Sequence, residues 1–377
     1  MKGNDKPINP EMVTIARESR GLTQKELTNL LMVSPGWLSR VEVGLRGIQK
    51  PYLKKLSEAL GYPPSFFTQK QPIYGPTVTD VFHRKRQSLS ERTLNKIHAQ
   101  INIRTMHLSN MIQGLDIGDA DIRPIEIYDF NGNPKEIARI IRATWKLPHG
   151  PVINLVDIIE NARGIVVPLE FGVREIDAIS RWPIGMPPLF FVNIDSPMDR
   201  LRFTLAHELG HIIMHQNNID PNMEYQADQF AAEFLMPEKE IRPYFVELSL
   251  DKLAALKPYW KVSMAALLKR AADLNTITPR HARTLWMKMG KAGYRIREPI
   301  ELDIPKEQPY LLSDILKVYL DDLEYSVHEL AKLLHLLDKE LSHMYINAQQ
   351  IQEDRESKAA IKEFERIVKK ANHNTES

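Results

Sequence analysis

Cysteine is absent from this chain of 377 residues. Without thiols there is no disulfide staple and no thiolate metal site, so a bound metal must be held by histidine and carboxylate. A reducing cytoplasm is the compartment such a composition suits. No apolar run approaches the roughly 20 residues that cross a bilayer. The opening Met1-Lys2-Gly3-Asn4-Asp5-Lys6 lacks the apolar centre of a secretion signal. A cytoplasmic protein with no membrane partner is therefore expected. An excess of one charge is lacking as well: 50 Lys and Arg stand against 48 Asp and Glu, a net of +2. The chain as a whole is no polyanion binder, and contact with nucleic acid must come from a local surface. What is present is an ordinary globular composition, 43% hydrophobic and 26% charged, long enough for two or three domains.

The most informative stretch runs from Arg202 to His215 and contains His207-Glu208-Leu209-Gly210-His211. Leu205, Leu209, Ile212 and Ile213 give it a helical apolar pattern. Residues four apart share a helix face, so His207 and His211 can converge on one ion. Glu208 stands beside the first of them, placed as a general base that takes a proton from water and returns it to a leaving amine. A second helical pattern runs from Met223 to Pro237, where proline stops it. Glu224 on that helix completes a His2Glu set with one open position, the arrangement of catalytic rather than structural zinc, one ion per chain. Asp228, one turn on, can accept the free ring N–H of a ligand histidine and fix its tautomer. His215 faces the same side as His211 but is read as a neighbour of the site. A three-histidine set needs glycine and histidine where this chain has Met214 and Asn217. Glu233 and Glu238 are competing carboxylates; Glu233 turns off the face of Glu224, and Glu238 follows Pro237 outside the helix. The plain alternative for the whole motif is a buried helix with two satisfied histidines.

Residues 8 to about 70 read as a bundle of short helices. Asn9 caps a helix opening at Pro10, and Gly21 ends it. Thr23 and Glu26 form a capping box for a second helix through Leu31, and a turn follows at Met32-Val33. Ser34 caps a third helix, Pro35 to Glu42. Tyr52, Leu53, Leu56 and Leu60 supply two further short helices ending at Gly61 and Pro63. A helix, a tight turn and a capped second helix make a helix-turn-helix.

Pro72, Gly75 and Pro76 mark a linker over 71–84. A long amphipathic helix runs from Phe82 to Leu115, and its basic run at 84–86 is read as solvated. A helix over 134–146 contains Trp145. A further helix ends at Gly164, and Ile165 to Leu169 form a strand. Ile176 to Ile179 and Leu189 to Asn193 read as two more strands, giving a small sheet ahead of the His207 helix whose edge could hold an extended peptide. Two helix pairs, in 250–300 and near 325–341, have the look of further small helix-turn-helix units, with packing as their expected role. The last charged stretch reads as a tail. The domains expected are 1–70, helix-turn-helix; 71–120, linker and long helix; 121–247, zinc domain; 248–350, helical C-terminal domain; and 351–377, tail. The fold class is mainly α with a small β-sheet, α+β overall.

GLTQKEL at 21–27, VSPGWLSRVEVGLR at 33–46 and LKKLSEALG at 53–61 resemble the lambda-repressor-like (Xre) family of DNA-binding domains. The resemblance implies that the third helix enters the major groove of double-stranded DNA. By matched position Gln24 holds a phosphate, and Pro35, Gly36, Ser39 and Arg40 sit where the family reads base edges. Arg40 suits a guanine, and Arg46 and Lys50 suit phosphates. It also implies a homodimer on a palindromic site.

FHRKRQSLSER at 82–92, LPHGPVINLVDIIENARGIVV at 147–167, RLRFTLAHELGHIIMH at 200–215 and ADQFAAEFLMP at 227–237 resemble the ImmA/IrrE family of metallopeptidases. That resemblance, spanning roughly 80–300, implies a gluzincin-like zinc peptidase domain in a bacterial or phage regulator. It places His207, His211 and Glu224 as ligands and Glu208 as base. Gln226 departs from the family, whose residue there is often acidic. The function expected is a DNA-binding transcription regulator whose zinc endopeptidase cuts a regulatory protein, a repressor or itself. The alternative is a non-catalytic repressor or antitoxin-like protein that binds a partner such as a toxin, its zinc domain sensory or structural.

Overall fold

The computed structural model describes residues 7–74, 89–115, 118, 120–216 and 220–346. The basic run at 84–86, most of the expected linker, Asn217 and the tail lie outside the described residues. In chain order the helices are α1 Pro10–Ser19, α2 Gln24–Leu31, α3 Pro35–Glu42, α4 Lys50–Leu60, α5 Glu91–Ile112, α6 Pro134–Thr144 and α7 Leu155–Asn161. Strands β1 Ile165–Leu169, β2 Ala178–Arg181 and β3 Leu189–Asn193 follow. Then come α8 Met198–Met214, α9 Met223–Leu235, α10 Glu238–Ile241, α11 Leu250–Trp260, α12 Met264–Asp273, α13 Pro279–Lys291, α14 Leu311–Lys317, α15 Val327–Leu333 and α16 Asp338–Leu341. The described chain is mostly helical with one three-stranded sheet, the α+β class expected.

The described residues fall into two compact units, one within Met1–Ile73, Glu91–Met111 and Lys317–Ser377, the other within Tyr74–Ser90 and Ile112–Leu316. The expected 248–350 domain does not stay together. Residues up to Leu316 cluster with the sheet, and those from Lys317 cluster with the N-terminal helices. Packing on α5 is the reason. Its His107 and Asn110 hydrogen-bond the Tyr345 hydroxyl and the Leu333 carbonyl, and Tyr319 donates to the Met111 carbonyl.

In the first unit the local signals act as sequence chemistry dictates. The Asn9 side chain accepts from the Glu11 N–H, and Thr23 and Glu26 close a reciprocal capping box. Met32 takes the left-handed conformation that turns α2 into α3. Ser34 occupies the cap position of α3, but its hydroxyl makes no capping hydrogen bond; the Trp37 N–H is met by the Ser34 carbonyl. The two short helices expected after Gly47 are one α-helix, α4, and a 3-10 turn at Pro64–Thr68, because Gly61 and Pro63 fall together between them.

In the second unit β3 lies between β1, which it pairs in parallel, and β2, which it pairs antiparallel. All five residues of β3 are buried, as an apolar central strand requires. β2 begins at Ala178, two residues later than Ile176, and forms an edge. Helices α8 and α9 pack closely, with α8 against β2 and β3 and α9 against α6. Their apolar faces, including Leu205, Leu209, Phe230 and Phe234, enter one continuous core.

Candidate metal centre and DNA-reading face

Close approach of α8 to α9 is what builds the centre. Gly210 lies between the two motif histidines, and a Cβ there would stand 3.1 Å from the Phe230 ring and 3.4 Å from the Ala227 Cα. Glycine lets the backbones meet, and Glu224 is brought against His207 and His211. The three offer ligand atoms all within 4.8 Å of one another, and all three residues are buried.

The distances among these groups are a test of fit. His207 Nε2 and His211 Nε2 are 3.0 Å apart, His211 Nε2 and Glu224 Oε1 3.3 Å, and His207 Nε2 and Glu224 Oε2 3.8 Å. Ligands about 2.0–2.1 Å from a tetrahedral ion stand roughly 3.3 Å from each other. The donor set and its spacing therefore fit one zinc-sized cation.

Each ring is turned by what holds its far nitrogen. His207 Nδ1 lies 2.9 Å from Asp228 Oδ1, and the Lys269 ammonium donates to Asp228 Oδ2 at 2.9 Å. Burial opposes the charge of Asp228, but the contacts of His207 and Lys269 hold its pKa down to about 2. Burial also works against protonation of His207, yet its bond to Asp228 and the nearby carboxylates leave its pKa raised. His211 has no such carboxylate at its outer nitrogen, and burial pushes its pKa down to about 3. His211 Nδ1 faces His215 Nδ1 at 2.9 Å. His215 is thus a neighbour of the site.

Glu208 is fully buried beside His207. Its Oε2 accepts from the Ser180 N–H at 3.0 Å and from the Ser180 hydroxyl at 2.5 Å. The carboxylate is held against the edge strand β2. The competing acids are engaged elsewhere: Glu233 accepts from Arg139 and Arg270, and Glu238 accepts from Arg242.

Sequence spacing placed His207, His211, Glu224, Glu208, Asp228 and His215 in one region, and the structure brings all six together. It adds Ser180, Lys269, Gln226, Asp220 and Tyr128, which spacing did not single out. Ser180 lies 28 residues before Glu208 and Lys269 lies 41 after Asp228. Of these, only Gln226 carried a signal, as the departure from an acidic residue.

In the first unit Pro35, Gly36, Ser39 and Arg40 are all exposed on α3, while Trp37, Leu38 and Val41 are buried on its other side. The Arg40 Nε donates to the Gly36 carbonyl at 3.0 Å. Gln24 is exposed at the start of α2, and its amide donates to Glu42 at 2.6 Å. Glu42 in turn pairs with Arg17. Arg46 and Lys50 are exposed beyond α3, the Arg46 guanidinium 5.8 Å from the Trp37 ring centre. The face contains the expected residue types, with the carboxylate of Glu42 turned inward on Arg17.

Residues 15–67 match the helix-turn-helix family, and residues 162–272 match the IrrE N-terminal-like domain of the M78 peptidase family. No curated protein matches the chain. The chain therefore joins a helix-turn-helix DNA-binding domain to a peptidase-family domain of the ImmA/IrrE kind. The second match contains the His207, His211 and Glu224 cluster. Among the described residues no helix is long and apolar enough to cross a membrane.

Proposed function

We propose that this protein is a DNA-binding regulator whose second unit is a zinc endopeptidase cutting a peptide bond in a regulatory protein. That protein is a repressor or this protein itself. The observation that carries the reading is the convergence of His207 Nε2, His211 Nε2 and Glu224 beside the buried carboxylate of Glu208.

His207, His211 and Glu224 would hold one zinc ion. When bound, zinc supplies Lewis-acid polarisation of the scissile carbonyl. Glu208 receives a proton from the attacking water and delivers it to the departing amine. Ser180 fixes the Glu208 carboxylate while this happens, through both its amide and its hydroxyl. Asp228 and Lys269 hold the His207 ring in its ligand orientation. In the first unit α3 enters the major groove. Arg40 with Ser39, Pro35 and Gly36 meets the bases there, and Gln24, Arg46 and Lys50 meet phosphates.

A set of three protein ligands favours turnover over a purely structural ion, which is normally closed by four. The test pairs metal analysis with cleavage. Wild type and Glu208→Gln are purified, zinc per chain is measured, and each is incubated with the proteins encoded beside its gene. One zinc in both chains and cleavage by the wild type alone is the expected result. Zinc in both with no cleavage by either would point to the non-catalytic partner binder.

A further inference from the structure

His211 and His215 sit one turn apart at the end of α8, and both are buried. Two imidazole nitrogens 2.9 Å apart share one proton, so one donates and the other is bare. The line continues beyond them. His215 Nε2 is 2.8 Å from Gln226 Oε1, and the Gln226 amide nitrogen donates to Asp220 Oδ2 at 3.0 Å. Gln226 and Asp220 are buried too. Asp220 is the end of the line. It also accepts from the Tyr128 hydroxyl at 3.0 Å, and its Oδ1 accepts from the Asn222 N–H at 2.7 Å.

Read from Asp220, the row runs in one direction. An ionised carboxylate accepts and never donates. Asp220 therefore draws the NH2 end of Gln226 towards itself, which turns the Gln226 oxygen to His215. His215 must then carry its proton on Nε2, leaving Nδ1 bare. His211 must carry its proton on Nδ1 to meet that bare nitrogen, and its Nε2 is left as a lone pair facing His207 and Glu224.

We propose that Asp220, acting through Gln226 and His215, sets the tautomer of His211 so that its Nε2 is presented to the cation. Asp220 is then the remote counterpart of Asp228, which fixes His207 by direct contact. Gln226 serves here because its two ends differ, accepting on one side and donating on the other. Tyr128, 59% exposed, only adds a donor to Asp220 and does not set the direction. These are positioning residues for the metal centre, and their role rests on the zinc reading only for its effect on affinity.

The isosteric change Asp220→Asn makes a specific demand. The Asn222 N–H keeps the new amide oxygen at the Oδ1 position, so the new NH2 faces Gln226. Gln226 must flip, and its NH2 then donates to His215 Nε2. The proton of His215 moves to Nδ1, and the proton of His211 moves to Nε2, where it blocks the lone pair.

Nitrogen NMR of histidine-labelled, metal-free full chain reads these tautomers, with His215→Gln used for assignment. The wild type is expected to show His215 protonated on Nε2 and His211 on Nδ1. Asp220→Asn is expected to exchange both, and Tyr128→Phe to leave them as in the wild type. Zinc affinity, measured by chelator competition, is expected to fall about 10–100-fold in Asp220→Asn and Gln226→Leu. His215 protonated on Nδ1 in the wild type would overturn the proposal, and so would an Asp220→Asn chain whose tautomers and zinc affinity match the wild type. A wild type that binds no zinc overturns the metal reading alone, because the tautomers are read without metal.

Discussion

Ser180 gives both of its donors, amide and hydroxyl, to the same carboxylate oxygen of Glu208. The strand edge thereby fixes the rotamer of a fully buried acid on α8. Ser180→Ala keeps the amide bond and loses the hydroxyl. A hydrogen bond to a charged group contributes about 1.5–3 kcal/mol, and about 1.4 kcal/mol is tenfold in rate. Peptide cleavage by Ser180→Ala is expected to slow roughly tenfold or more in kcat, with KM and zinc content near wild type. A rise in KM with kcat intact would show that Ser180 holds substrate and not the base.

Gly210 and Phe230 set how closely α8 meets α9. Gly210→Ala places a methyl 3.1 Å from the ring, tighter than ordinary packing. Overpacking of this kind costs about 1–3 kcal/mol, offset by about 1 kcal/mol of better helix propensity. The larger effect falls on geometry, because His207 and His211 ride on one helix and Glu224 on the other. Zinc raises the melting temperature of a chain that binds it only when folded. That rise is expected to shrink markedly in Gly210→Ala. A variant with an unchanged zinc-induced shift would show that the Phe230 ring yields without moving the ligands.

Much of this was written locally in the sequence. The i,i+4 histidines, the downstream Glu224 and the Thr23–Glu26 capping box act within a turn or two, where helical period and cap chemistry decide the outcome. The parts that spacing missed all depend on long-range placement. Gln226 and Asp220 meet His215 only because α9 folds back on α8, and Ser180 meets Glu208 only because α8 packs on β2. Sheet order and parallel pairing leave no local period to read. The helix pair α11–α12 shows a similar limit. Lys261 takes the left-handed turn that Met32 takes in the first unit, so its helix-turn-helix look was legible. Yet Met264 and Leu268 on α12 are fully buried, and Lys269 and Arg270 bind Asp228 and Glu233 of α9. That helix packs inward, the role expected for it, and no local pattern revealed which acids it would hold.

The pair formed by Glu233 and Arg270 bridges α9 to α12, and both side chains are at most 1% exposed. Removing one partner of such a pair leaves a buried charge uncompensated and costs about 3–5 kcal/mol. Glu233→Leu and Arg270→Met are each expected to lower the denaturation midpoint strongly. The double variant is expected to recover much of the loss, since well-packed apolar residues replace buried pairs at little cost. Arg139 also donates to Glu233, but it is 46% exposed and can turn to water. Denaturant titration of the three variants checks the coupling, and additive losses would show that the charges act independently.

On DNA, Arg40 and Arg46 are expected to separate by salt. Arg40→Ala removes the strongest candidate for base recognition and should cost about 1–3 kcal/mol at one operator position while relaxing preference there. Arg46→Ala removes a candidate phosphate contact. It should weaken binding alike on all sequences and lower the salt slope by about one. Binding isotherms at several salt concentrations on matched and mutated sites distinguish the two. Equal behaviour of both variants on every sequence would remove Arg40 from the reading face.

His107 links stability of the first unit to pH. It is 1% exposed on α5, with Nδ1 2.8 Å from the Tyr345 hydroxyl. Burial pushes its pKa well below the ordinary 6.5, and the charges of Arg104 and His335 push the same way. The folded ring therefore stays neutral while the unfolded ring titrates near 6.5. Above that pH neither state takes up the proton, and the stability is fully present. Below it the unfolded chain binds a proton that the fold refuses, and stability falls by at most about 1.4 kcal/mol per pH unit for this one group. Tyr345 is a neutral partner of the ring, its own pKa raised by burial. His107→Gln removes the titration, and its melting temperature should fall less than the wild type's between pH 7 and 5.5. Parallel curves for the two chains over that range would mean that His107 is protonated in the fold, and that the Tyr345 hydroxyl accepts from it.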